Sequence, residues 1–227
     1  MIRRIRERLA ADDGFGLAEL GVYAVLSVIV LGIVGSVLIT SIKTRIQVVE
    51  MTEAVGVGQL IANSVEEGVR NASGPPGAID AQQRVGIQAE QVTADGQLLR
   101  ARVAIGAIDG TVVWQCQAWF YSSTTEAVYA ATNKTTSIAD PVSFSVVNGI
   151  HTAQQGSDQW ILLGEGVQIA DAEHPLIFGS KAAGTGDQKA IILYFKVARS
   201  GTQLVFIPTT VVNRKLEAGG TGPTTCY

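Results

Sequence analysis

The chain has 227 residues, a formal net charge of −3 and a sequence pI near 5.4, so it has no broad basic surface of the kind that holds nucleic acid. Once its apolar N-terminal segment is set aside, the remaining length suffices for one domain with its own core and leaves a second improbable on size. The two cysteines and two histidines have no paired ligand spacing, and neither a metal nor any other cofactor is expected.

Residues 1–14 form a leader whose Arg3, Arg4, Arg6 and Arg8, followed by Asp12 and Asp13, make it too polar to cross a bilayer and hold it on the cytoplasmic side. From Leu20 to Ile42 no residue is charged, and about 23 residues at roughly 1.5 Å each are enough to span a hydrocarbon core. In a general secretory signal a processing site of small residues follows the apolar run; here Gly14 precedes it. Glu19, at the edge of the run, is costly to bury alone and marks a functional position. It either pairs with an ammonium group or snorkels to the lipid headgroups. Within the span, Gly32 and Ser36 are four apart with Gly35 beside them, a small-residue patch that another helix can approach closely.

Gly14, Phe15 and Glu19, set between a basic leader and an apolar run, match the signal of the type IV prepilin and pseudopilin family, which this part of the chain resembles. The resemblance implies cutting after Gly14 by a membrane prepilin peptidase, N-methylation of the new amino terminus on Phe15, and retention of residues 15–42 as the transmembrane and assembly helix. It implies too that Glu19 neutralises the Phe15 amine of a neighbouring subunit. The implied partners are copies of this chain, other pilins, and the pilus or secretion assembly machinery. The implied path is a single-pass inner-membrane precursor with a cytoplasmic leader, then a cell-surface filament. In the family this helix often loosens at a proline; the span here contains none.

Lys43 and Arg45 mark the end of the span, and residues 43–73 read as an amphipathic continuation. Val48, Met51, Val55, Gly58, Ala62, Val65 and Val69 recur at three or four and form one apolar stripe, with Glu66 and Arg70 placed as an i,i+4 pair away from it. Gly56 and Gly58 are expected to weaken the helix locally, and Gly74-Pro75-Pro76-Gly77 to end it. The spacing predicts one rod from about Leu17 to about Asn71.

Beyond Gln82 the period becomes alternating, and residues 82–227 read as a β-rich head. Leu99, Ala101, Val103 and Ile105 share one face of a strand, with Arg100 and Arg102 on the other, the mark of a half-buried strand. Asp109-Gly110 supplies a turn into a second strand, Thr111 to Tyr121, that places Trp114, Cys116, Ala118 and Phe120 together. Further strands are expected at Glu126–Thr132, Val142–Val147 with an Asn148-Gly149 turn, Trp160–Ile169, Lys189–Val197 and from Gln203 to Ile207 or beyond. The fold class is therefore α+β, a long N-terminal helix followed by an antiparallel, sandwich-like head. Cys116 and Cys226, both beyond the span, are most simply a disulfide that pins a Gly/Thr-rich tail otherwise prone to fray.

No chemistry-bearing motif appears: there is no Gly-x-Ser-x-Gly elbow, phosphate-binding glycine loop or His-Glu-x-x-His. The chain is not expected to be an enzyme. Trp119, Tyr121 and Trp160, if exposed, would make a stacking surface; the competing reading buries them between a second sheet and the helix. The whole reads as a minor or surface-displayed pilin-like subunit. The alternative is a signal-anchored monomeric surface module, of the carbohydrate-binding type if those aromatics are exposed.

Overall fold

Helix α1 (Leu17–Arg70, 54 residues) starts where the Gly16 carbonyl accepts the amides of Glu19 and Leu20 at 2.8 and 3.2 Å. The computed structural model describes residues 16–74, 87–93, 96–139, 141, 143–147, 150–154, 160–182, 189–199, 203–214 and 219–226. With no proline before residue 75, nothing removes a helical donor, and α1 continues without interruption. It ends as Asn71 bonds back to Glu67 O and Ala72 to Val69 O, both at 3.2 Å. The chain then turns onto a strand through an Ala72–Val103 bridge. Glu66 and Arg70 form the expected ion pair at 3.0 Å.

The chain divides into two compact units, one ending at Val48 and one running from Val49 to Tyr227. In the second, β1 (Ile87–Thr93), β2 (Gly96–Ile108), β3 (Thr111–Ser122), β4 (Ala127–Asn133) and β7 (Ile161–Glu165) form an antiparallel sheet in the order β1-β2-β3-β4-β7. A separate hairpin joins β5 (Ser143–Val147) to β6 (Ile150–Gln154). A second antiparallel sheet has β10 (Lys189–Arg199) beside β11 (Gln203–Val212), with β8 (Val167–Ile169) and β9 (Phe178–Ala182) along its other side. The α+β layout is the expected one. Asp109 and Gly110, at φ 50° and 77°, make the two-residue turn of the β2–β3 hairpin, whose geometry needs positive φ at both positions.

Two differences from the sequence reading concern the sheets. The run Trp160–Ile169 is two strands, because Gly166 at φ +76° breaks it; a Cβ there would collide with Ala198 O. Residues before Gly166 pair with β4 and those after it with β10, so this glycine carries the chain from one sheet to the other. The strand at Leu99 is not half-buried: Leu98 through Val103 are all buried, Arg100 and Arg102 included.

The main core lies where the residue 49–70 part of α1 meets both sheets. Ile61, Val65 and Val69 pack with Leu99, Val103, Trp119, Val128, Ile191, Phe195 and Val197. The apolar stripe is buried from Gly58 onward, with Val55 half-buried and Met51 47% exposed, while Ala54 and Ile61 beside it are buried as well. Gly58 is not merely a weak point: a Cβ there would meet the Ile207 side chain at 2.6 Å, so its absence lets helix and β11 approach. Gly164 of β7 plays the same part against Val57. A second cluster fills the opposite face of β2 and β3 with Leu98, Cys116, Ala118, Phe120, Tyr129, Ile138, Trp160 and Cys226.

Candidate functional site

The residues singled out from sequence fall in two places, the start of α1 and the C-terminal tail. Glu19 stands in the first turn of α1, where a carboxylate complements the positive end of the helix dipole. The bond between Gly14 and Phe15 lies outside the described residues. Along the span the large apolar side chains are exposed, Leu31 at 69% and Val28 at 69% among them. A segment of this length and hydropathy can cross a membrane once. Hydroxyls in its second half and just past its end bond back along the helix: Ser36 donates to Ile33 O at 2.8 Å, Thr40 to Ser36 O at 2.9 Å, Ser41 to Val37 O at 2.8 Å and Thr44 to Thr40 O at 3.0 Å. Such back-bonding is what lets hydroxyls sit in hydrocarbon. Apart from the adjoining residues and the helix's own backbone, no atom lies within 4 Å of where a Cβ would stand on Gly32 or Gly35, so the small-residue patch is open to another helix.

The tail is held by far more than its cysteine. Cys116 and Cys226 are joined, with Cα atoms 5.3 Å apart and a sequence separation of 110. Upstream, Thr221 pairs in parallel with Val113: Trp114 N–H donates to Thr221 O at 2.8 Å and Thr221 N–H to Val112 O at 2.9 Å. This closes the part of β3 that extends past its neighbour, since β4 pairs no further than Cys116. The same occurs on β2, where β1 reaches only Ala101 and Ala72–Ser73 cover the next stretch, with Ser73 N–H on Arg102 O at 3.1 Å. The outer edges of the long hairpin are thereby paired as far as Ala104 on β2 and Val112 on β3.

Arg102 ties these two covers together. Its guanidinium is buried, donates to Pro223 O at 2.8 Å and to Ser73 O and Gly74 O at 3.2 Å, and lies 3.9 Å over the Trp114 ring. Donation to carbonyls and stacking on an indole suit a planar, weakly hydrated cation. Its neighbour Arg100 pairs with Glu90 and donates to Ile138 O at 3.1 Å. Alternation alone puts both on the solvent side of a half-buried strand. The available signal is their register opposite Ala118 and Cys116, on a strand already rich in apolar residues.

The aromatics are buried: Trp114 1%, Trp119 0%, Tyr121 3% and Trp160 9% exposed. Both faces of β3 are covered, as one of the two readings held, but helix and second sheet cover the same face. The tail, Ile138 and Trp160, edge-to-face with Phe120 at 6.1 Å, cover the other. These four residues therefore provide no stacking surface. His174 bonds to Asp171 at 2.9 Å and lies against Tyr194, and the hydrogen bond to His174 holds the Asp171 carboxyl below the usual range. His151 belongs to β6.

No family model matches this chain, and no curated protein or solved structure matches it. The functional reading therefore rests on its residues and geometry alone.

Proposed function

We propose that this chain is a structural subunit of a type IV pilus-like or pseudopilus filament, of the minor or surface-displayed kind. The supporting observation is the coincidence of Gly14-Phe15 and Glu19 with the start of α1. The acid stands in the first turn of a helix that is charge-free from Leu20 to Ile42 and runs unbroken to Arg70. Cutting after Gly14 would create an ammonium group on Phe15 four residues from Glu19, and a neighbouring subunit's carboxylate neutralises it at little cost when the helices come into register. Gly32, Gly35 and Ser36 then form the close-packing patch. The Cys116–Cys226 bridge supports a head on the oxidising side of the membrane, opposite the arginines of the leader. Prepilin peptidase, sibling subunits and the membrane assembly machinery are the partners of this reading.

The test is the mass of the mature amino terminus. N-methylated Phe15 is expected; a protein retaining Met1 to Gly14 overturns the proposal and leaves a signal-anchored surface module.

A further inference from the structure

Strand β11 pairs with β10 over ten consecutive positions without a register shift and has no other strand beside it among the described residues. Other strands at sheet margins are short or irregular: β7 and β9 have five residues and β8 three, while β1 carries a shift between Gln91 and Thr93. A long, regular open edge is a template for a strand of another molecule.

Three backbone bonds fix the direction of its peptide groups. Tyr194 N–H donates to Ile177 O at 3.3 Å and Ala198 N–H to Gly166 O at 2.8 Å, both away from β11. Asn213 N–H donates to Lys189 O at 3.3 Å, towards β10. The pairs Ala198–Leu204, Lys196–Phe206, Tyr194–Pro208 and Ile192–Thr210 are therefore the kind that exchange no bonds. The peptide groups of Leu204, Phe206, Pro208, Thr210 and Val212 point to the open edge. Their side chains make an exposed row, with Leu204 at 47%, Phe206 at 53% and Val212 at 41%, so the edge is apolar as well as unpaired.

We infer that Pro208 guards this edge against strand pairing with a second copy of the chain. A proline has no N–H to give, and at this parity its own sheet loses nothing, because the missing donor would have pointed outward. An incoming strand loses its central bond and meets the pyrrolidine ring there, which leaves only the short stretches 203–207 and 209–212. The inference is independent of filament assembly.

It is tested in the full chain, in detergent, by amide hydrogen exchange at Phe206 and Thr210 as protein concentration is raised, comparing wild type, Pro208→Ala and the control Thr210→Ala, which keeps every outward N–H. In Pro208→Ala these two amides should slow by about tenfold with concentration, the scale of one net hydrogen bond; in the other two proteins their exchange should be independent of concentration. The amides of Tyr194 and Ala198, bonded on the far side of β10, report whether the sheet is folded. Should Pro208→Ala loosen them, Pro208→Val, with its higher strand preference, carries the test. Concentration-independent exchange at Phe206 and Thr210 in a folded variant overturns the inference.

Discussion

The indole N–H of Trp119 donates to Ser64 Oγ at 2.9 Å, and one turn further along α1 Gly68 lies against the same ring, leaving no space for a Cβ. A strand tryptophan and a helix serine thus fix both the distance and the rotation of the helix on the sheet. Trp119 is fully buried, so its ring has nowhere to move.

Gly68→Ala should therefore destabilise the protein by ~1–3 kcal/mol through overpacking, whereas Gly56→Ala, exposed and with nothing within 4 Å of the new methyl, should stabilise it by up to ~1 kcal/mol. Thermal denaturation of the full chain in detergent should move in opposite directions for the two, by ~2–4 °C per kcal/mol in a domain of this size. Equal shifts would contradict the close contact.

Non-reducing peptide mapping should recover Cys116 joined to Cys226. A closed loop of 110 residues contributes on the order of 4 kcal/mol in the chain-entropy model, so reduction or Cys226→Ser should lower the melting midpoint by several degrees. The Thr221 amide, bonded to Val112 O, and the Arg102–Pro223 bond should keep the tail partly in place. Two free thiols, or a bridge between chains, would contradict both the pinning and the extracytoplasmic location.

Alkali should act through Tyr121. Burial, and secondarily the charge of Glu126, push its hydroxyl from 10.0 up to about 12; burial raises that of Tyr129 as well. A pKa raised in the folded state gives stability that is intact below the unfolded value and is lost as pH climbs through the folded one. Stability should hold up to about pH 10 and fall between 10 and 12. Tyr121→Phe should shift the alkaline unfolding midpoint upward, followed by circular dichroism alongside phenolate absorbance; an unchanged midpoint would place the sensitive group elsewhere.

Two substitutions separate processing from assembly. Gly14→Ala should leave the precursor uncut while the unit from Val49 onward still folds, since that unit has its own core; a normal mature mass would remove the peptidase. Glu19→Ala or Glu19→Val should be cut normally and fail to enter filaments. Wild-type incorporation would mark Glu19 as a snorkelling residue.

Local periodicity made much of the fold legible. The helix is read correctly at both ends because each is written in nearby residues: an apolar run without proline, then Gly74-Pro75. The β2–β3 hairpin follows from Asp109-Gly110, whose conformations are set by the dipeptide itself. The cysteine pair follows from there being only two. For the candidate site, the sequence supplied the order of leader, Glu19 and span, all contiguous in the chain.

What only the tertiary structure decided is which element each face meets. Alternation assigns side chains to two sides of a strand but does not say what lies beyond either, and so Arg100 and Arg102 read as solvent-facing. They are buried because carbonyls from Ile138, Ser73, Gly74 and Pro223, distant in sequence, converge on them. Periodicity marks none of β1, β6 and β9 and makes one strand of Trp160–Ile169 rather than two, since pairing partners and the sheet change at Gly166 are long-range properties. Glycines 58 and 68 read as helix weaknesses or not at all, yet they set how closely α1 lies on the sheets, because the value of a missing side chain depends on what fills its place.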